Sequence, residues 1–206
     1  MLIPSVICHE VAHGYVAYRL GDPTAKAAGR ITLNPIKHVD PVGTVILPAI
    51  LAFSGAPIFG WAKPVPFNPR NLREPRTGEL LIGFSGPLTN LALALAGTAL
   101  LWVLGFAPGG TAAAVAATLA FYLILTNLVL MFFNLLPIPP LDGSSFFPLL
   151  LPPSAMPAYR AFERQSFLIL MVLVFVLPSV AGVSPIGEYF RYTVDPMLGF
   201  LLRLAS

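Results

Sequence analysis

The chain has 206 residues, 56% of them hydrophobic and only 10% charged, with a mean hydropathy of +0.80. Soluble domains run near 25% charged, so this composition excludes an ordinary soluble globule and indicates an integral membrane protein. The net charge of +3 comes from Lys and Arg placed between apolar runs rather than along one face, which excludes a nucleic-acid surface, and the single Cys8 excludes an internal disulfide or a paired-cysteine metal knuckle.

The first apolar stretch, residues 1–18, holds His9-Glu10-Val11-Ala12-His13-Gly14. In a helix, residues four apart share a face, so His9 and His13 can offer two imidazole nitrogens to one Zn²⁺ while Glu10 reaches water at the metal. Polar side chains at the centre of a membrane helix cost about 2.5–3.5 kcal/mol each on insertion scales and are usually functional. Eight residues precede His9, about 12 Å of helix; either this helix stops partway through the bilayer or the natural chain starts upstream of Met1. No cleavable signal pattern is present, because Met1 is followed at once by apolar sequence.

A basic loop follows, with Arg19, Lys26, Arg30 and Lys37. His38 within it has no second ligand at a metal-binding spacing and reads as structural or interfacial. Residues 41–62 are uncharged but broken by Gly43, Pro48, Gly55, Pro57 and Gly60, the pattern of a re-entrant or membrane-associated segment rather than a span. Lys63, Arg70, Arg73 and Arg76 come next, around Val65-Pro66-Phe67, a stretch that could pair with an extended peptide as an added strand.

Residues 80–141 contain no Asp, Glu, Lys, Arg or His. At roughly 20 residues per crossing this is two spans, 80–106 and 112–136, joined at Ala107-Pro108-Gly109-Gly110 as a transmembrane hairpin. Gly86-Pro87 beside Asn90, and Ala92, Ala94, Ala96 and Gly97, permit close helix approach there, and Asn90 and Asn134 are amides suited to interhelical hydrogen bonds. The uncharged run 165–187 makes another span, and residues 189–204 are either an interfacial helix or a weak last span. The expected fold is an all-α polytopic membrane protein of four to six transmembrane helices, with the re-entrant segment at about 41–62.

Two histidines leave a catalytic zinc site incomplete, since such a site needs a third protein ligand and an open position for water. The candidate is Asp142, the only carboxylate between Glu79 and Glu163. It follows Pro137, Pro139 and Pro140, which remove backbone donors and leave polar groups that a cavity tolerates and lipid does not. If segment 41–62 dips and returns, ten Lys and Arg lie on one side of the membrane and the Pro108 turn on the other has none. The positive-inside rule then makes the basic side cytoplasmic and puts His13 and Asp142 at similar depth.

Three motifs in order, HEVAHG (9–14), GFSGPLTN (83–90) and NLLPIPPLDG (134–143), resemble those of the site-2 proteases, the intramembrane zinc metalloproteases. The stretches 21–44 and 60–72 are similar to the short prokaryotic branch that has neither PDZ nor CBS domains. The resemblance implies one membrane-embedded peptidase domain over 1–206, with its core in 1–150 and C-terminal helices in 160–206. It further implies one zinc per chain on His9, His13 and Asp142, with Glu10 as the catalytic carboxylate and Asn90 and Asn134 on the substrate backbone or developing oxyanion. The partners so implied are the lipid bilayer and a membrane-protein substrate with a transmembrane helix, cleaved within or near that helix in regulated intramembrane proteolysis. The location is a multi-pass position in the cell membrane, with the active-site entrance cytoplasmic. A membrane metal-binding protein without turnover, or an inactive homologue, is the alternative; Glu10 separates the two, because metal binding alone needs no carboxylate beside the first histidine.

Overall fold

The computed structural model describes residues 1–53, 60 and 62–206. Among them the secondary structure is helical throughout: α1 (Leu2–Arg19), α2 (Thr24–Ala27), α3 (Leu47–Phe53), α4 (Pro75–Gly105), α5 (Thr111–Asn134), α6 (Phe147–Leu150), α7 (Met156–Met171), α8 (Leu177–Ala181) and α9 (Pro185–Leu204). Among the described residues three helices are long and apolar enough to cross a membrane: α4, α5, and the continuous helical stretch Pro153–Ala181 that runs through α7 and α8. Only 22%, 28% and 11% of their apolar windows are buried, so most of their apolar surface faces outward, as contact with lipid requires. This is the all-α membrane protein that the composition demands.

The hairpin of α4 and α5 is the centre of the bundle. Ala94 and Gly97 on α4 meet Ala120 and Ile124 on α5, and a methyl at Gly97 would stand 2.8 Å from Ile124 Cγ1. Small residues here bring the two backbones close, where van der Waals packing holds helices together in lipid. Helix α9 closes one side of the hairpin, burying Val194 and Leu201 with Ile124, Leu128 and Met131. Its membership of that core is how the last apolar segment is accommodated.

Helix α1 lies against the other side, with Ser5, His9, His13 and Ala17 at steps of four along one face. Ser5, His9 and Ala17 are buried there. Its C-terminal end is tied to the loop ahead of α4: Arg73 N donates to Leu20 O at 3.3 Å, and fully buried Asp22 accepts from Asn68 N at 2.6 Å and Asn71 Nδ2 at 2.8 Å as well as from Thr24. The start of α7 is pinned at the same end, where Arg160 Nη2 makes a two-pronged contact with Glu79 Oε1 and Oε2, both 2.9 Å. Most of the basic loops therefore gather at one end of the bundle, opposite the Pro108 turn.

Residues 41–53 are helical but only 13 residues long, about 20 Å, short of the roughly 30 Å hydrocarbon core. The chain comes back to its point of departure. Lys63 N donates to His38 O at 2.9 Å, and Gly60 sits against the Gly43 backbone so closely that a methyl there would stand 2.9 Å from Pro48 Cγ. The rest of the expected re-entrant segment, 54–59 and 61, lies outside the described residues.

Asp22 offers a direct check on the tie between α1 and the loop. Burial pushes its carboxyl up, and hydrogen bonds from Thr24, Asn71 and Asn68 outweigh that and hold it below the usual aspartate value. A lowered folded value means the stabilisation is present above the unfolded value of 3.8 and is lost as pH falls through the folded one. Asp22→Ala should lower stability near neutral pH by roughly 1–3 kcal/mol, the usual penalty for orphaned buried donors. In thermal unfolding of the detergent-solubilised protein, its difference from wild type should shrink in acid.

Candidate metal centre

His9, His13 and Asp142, remote in sequence, converge on one point. His9 Nε2 and His13 Nε2 are 3.0 Å apart, and Asp142 approaches them with Oδ2 at 3.1 Å from His9 and Oδ1 at 3.3 Å from His13. Among the described residues this is the group of potential ligands whose atoms lie within 4.8 Å of one another. Zinc bonds of 2.0–2.2 Å in tetrahedral array put neighbouring ligand atoms about 3.3–3.6 Å apart, so each imidazole nitrogen lies within a few tenths of an ångström of zinc-ligand spacing from the other and from one oxygen of Asp142.

The protons are arranged to leave these atoms bare. His13 Nδ1 faces Ile82 O at 2.7 Å, and a carbonyl only accepts, so the proton is on Nδ1 and Nε2 offers a lone pair. His9 Nδ1 faces Asn90 Oδ1 at 2.6 Å, with the same result. Asp142 Oδ2 is buried with no hydrogen-bond donor. Two imidazole lone pairs and a carboxylate in mutual contact repel unless a cation sits among them. The residues fit a metal.

The GFSGPLTN stretch on α4 shapes the room. A methyl on Gly86 would overlap His9 Cε1 and stand 2.6 Å from His13 Nε2, and one on Gly83 would stand 2.7 Å from Ser145 Cβ and 3.0 Å from Asp142 O. Pro87 lacks the N–H that would bond Gly83 O. The neighbouring Ile82 carbonyl takes both His13 Nδ1 and the Ser85 hydroxyl, the latter at 2.6 Å.

Asp142 is delivered by a loop with its own fastenings. After Asn134 the three prolines contribute no donors, while Ile138 N bonds Leu136 O at 2.8 Å and Leu141 N bonds Ile138 O at 2.9 Å. A tight 3-10 turn begins at Asp142, Gly143 packs on the Leu136 carbonyl, and Tyr159 on α7 donates to Ser144 O at 3.0 Å. Leu136 and Leu141 are buried against Leu170.

Glu10 lies beside the ligands on α1, and its Oε2 accepts from Val65 N at 2.9 Å. Val65 is buried over Gly14, where a Cβ would come within 2.8 Å of Val65 Cγ1. Residues 62–67 thus form a strap across α1, held by Arg30, whose Nη2 donates to Lys63 O and to Pro64 O. Within the Val65-Pro66-Phe67 stretch that could add a strand, the Val65 amide is committed to Glu10 and Pro66 has none, while Lys63 ahead of it donates to His38 O.

The asparagines divide. Asn90 is fully buried, with Oδ1 on His9 and Nδ2 on Asn127 Oδ1 at 2.8 Å; its contacts are those of an interhelical hydrogen bond that also orients a histidine. Asn134 ends α5 and donates to Leu130 O at 3.0 Å. His38 is buried, with Nε2 on Thr32 O at 2.8 Å and apart from the ligand cluster. Sequence reading passed over Asn127, Ser5 and the Val65 amide. For Asn127 a signal existed, an amide inside a run otherwise free of charge; for the main-chain Val65 N–H there is none.

The model of peptidase family M50 matches residues 103–177. The chain is 41% identical over 200 residues, 96% of its own length and 83% of the relative's, to "Putative zinc metalloprotease YwhC" of Bacillus subtilis (strain 168). It is also 35% identical over 173 residues to "Putative zinc metalloprotease Rip2" of Mycolicibacterium smegmatis, covering 82% of this chain and 62% of that one. A protein of the same name from Mycobacterium tuberculosis (strain H37Rv) is 32% identical over 182 residues, 86% of this chain and 66% of the relative. No solved structure gives a significant match. The chain belongs to peptidase family M50, the site-2 protease family, and is a metalloprotease of that family. Zinc is the metal that the relatives' names carry.

Gly86 is the most direct test of the packing around the ligands. Gly86→Ala should displace both imidazoles while leaving the helical content unchanged, because α4 tolerates alanine better than glycine. Metal analysis should find zinc per chain well below that of the wild type purified alongside.

Proposed function

We propose that this protein is an intramembrane endopeptidase that binds one zinc per chain through His9, His13 and Asp142 and hydrolyses a peptide bond within or near a transmembrane helix of a membrane-protein substrate, as a step of regulated proteolysis. The observation that carries this reading is the meeting of two bare imidazole nitrogens, 3.0 Å apart, with the two oxygens of Asp142 at 3.1 and 3.3 Å, set among apolar helices with Glu10 next to them. Zinc, when bound, lowers the pKa of water towards about 7 and polarises the scissile carbonyl.

The chain's own residues do the rest. Glu10 takes the proton of the attacking water and returns it to the leaving amine, which a carboxylate held in place can do twice per cycle. The Val65 amide anchors Oε2 and leaves Oε1 for the water. Asn134, at the start of the proline loop, meets the substrate backbone, whereas Asn90 acts on His9. Asp142 is the most exposed ligand, with 19% of its side chain accessible against 8% for His9 and 12% for His13, so water enters along the Asn134–Gly143 loop. A helical substrate hides its carbonyls in hydrogen bonds, so it must unwind locally before it can be cut.

The same reading puts the basic end of the bundle in the cytoplasm, because ten Lys and Arg gather in the loops assigned there and the Pro108 turn has none. The contact of Gly60 with Gly43 supports a segment that dips and returns. With Cys8 replaced by Ser, cysteines introduced at Lys37 and Arg70 should be labelled by an impermeant reagent from the cytoplasmic side only, and one at Ala107 from the opposite side only. Labelling of positions 37 and 70 from different sides would overturn this topology.

Glu10 decides the chemistry. Glu10→Gln keeps the shape of the side chain and every proposed ligand, so zinc should stay near one per chain. Cleavage of single-span membrane proteins in reconstituted vesicles should fall by about 10²- to 10⁴-fold, the usual share of a general acid-base group. Turnover equal to wild type would rule this mechanism out.

A further inference from the structure

A chain of hydrogen bonds crosses three helices behind His9. Asn127 on α5 donates from Nδ2 to Leu123 O at 2.8 Å and to Ser5 Oγ on α1 at 2.9 Å, and its Oδ1 accepts from Asn90 Nδ2 on α4 at 2.8 Å. Asn90 Oδ1 then accepts from His9 Nδ1 at 2.6 Å. Asn127 and Asn90 are 0% exposed, Ser5 1% and His9 6%, so water does not compete for these bonds.

Each link has only one direction. An amide can turn over and exchange its donor and acceptor, and Asn90 by itself fits His9 either way round. The Leu123 carbonyl is main chain and can only accept, so Asn127 must point Nδ2 at it. That turns Oδ1 of Asn127 towards Asn90, which forces Nδ2 of Asn90 inward and Oδ1 onto His9. The imidazole must then hold its proton on Nδ1 and present the Nε2 lone pair to the ligand cluster. His13 needs no such relay, since it meets the Ile82 carbonyl directly.

We infer that Asn127 is a positioning residue: through Asn90 it passes the fixed polarity of the Leu123 carbonyl to His9 and so determines which imidazole nitrogen is free to bind metal. This rests on the reading of His9 as a zinc ligand. Without Asn127, Asn90 can flip and donate to Nδ1, which moves the proton to Nε2 and blocks the ligand atom. Groups that orient a metal-binding histidine from behind typically contribute 10- to 100-fold to metal affinity.

The test uses the full chain in detergent with ¹⁵N-labelled histidine. In zinc-free protein, at a pH where the imidazoles are neutral, wild type should show His9 and His13 both protonated on Nδ1. In Asn127→Leu, close in size but unable to hydrogen-bond, His9 should shift towards the Nε2-protonated form while His13 does not change, and zinc affinity measured by chelator competition should fall about 10- to 100-fold. Asn127→Asp, neutral in these apolar surroundings, has an O–H for Leu123 O and a carbonyl for Asn90, and should keep the wild-type signal and affinity. Should Asn127→Leu fail to fold, Asn127→Ala is read in the same way. An unchanged His13 signal certifies the local fold, and a His9 that then stays Nδ1-protonated in Asn127→Leu, or an Asn127→Asp that behaves like Asn127→Leu, overturns the inference. If wild type binds no zinc, the metal reading of the site fails, while the imidazole signals still decide the relay.

Discussion

Three side chains that turn only acceptor atoms to one point inside an apolar bundle are the condition around which this molecule is built. Neither imidazole brings a proton to the meeting point, because each Nδ1–H is committed to an oxygen behind it, and the Asp142 carboxylate brings none either. Buried polar atoms without a partner are costly, and an unpaired carboxylate away from water more so. The arrangement makes sense as a place for a cation, and its surroundings act to prevent relaxation. Gly86 lets α4 press on both rings, Gly83 lets the Asp142 turn come close, and Tyr159 and Gly143 stop that turn from swinging away.

Those restraints come from elements with little else in common. The proline-rich loop after α5 cannot form a regular helix, yet it is one of the more firmly tied parts of the chain, with Leu136 and Leu141 buried against α7. The Arg160–Glu79 pair fastens α7 to the start of α4, with Arg160 Nη2 shared between the two oxygens of Glu79 while Nη1 turns to Glu163. The strap at 62–67 holds Glu10 by a main-chain amide and is in turn held by the buried Arg30. A carboxylate next to a metal would otherwise be drawn into the coordination sphere; a backbone donor on one oxygen keeps the side chain to the side.

Membrane residence and site architecture are linked here by the poverty of polar groups. In an interior with so few donors and acceptors, a row such as Ser5, Asn127, Asn90 and His9 carries direction over three helices without interruption by water. Soluble proteins orient metal-binding histidines with carboxylates or carbonyls. A buried carboxylate would add charge in low dielectric, whereas an amide supplies an acceptor without it and needs something else to stop it flipping.

What the sequence determined by itself was whatever is written in short spacings and in the absence of charge. The step of four between His9 and His13 puts them on one helix face in any environment, and a 62-residue run without ionisable acid or base can only be a hairpin of spans, observed as α4 and α5. Asp142 was legible for the same reason, as a lone carboxylate in apolar sequence. Tertiary structure alone decided which atoms meet. The substrate-facing role expected of Asn90 depended on where α4 sits relative to α1, and the packing turned its amide to His9 and Asn127 instead. The stretch at 65–67 could have paired with an extended peptide by its pattern, but the Val65 donor goes to Glu10 and that of the adjoining Lys63 to His38, partners 55 and 25 residues away. A main-chain N–H has no identity in the sequence, so contacts of that kind exist only once the helices are packed.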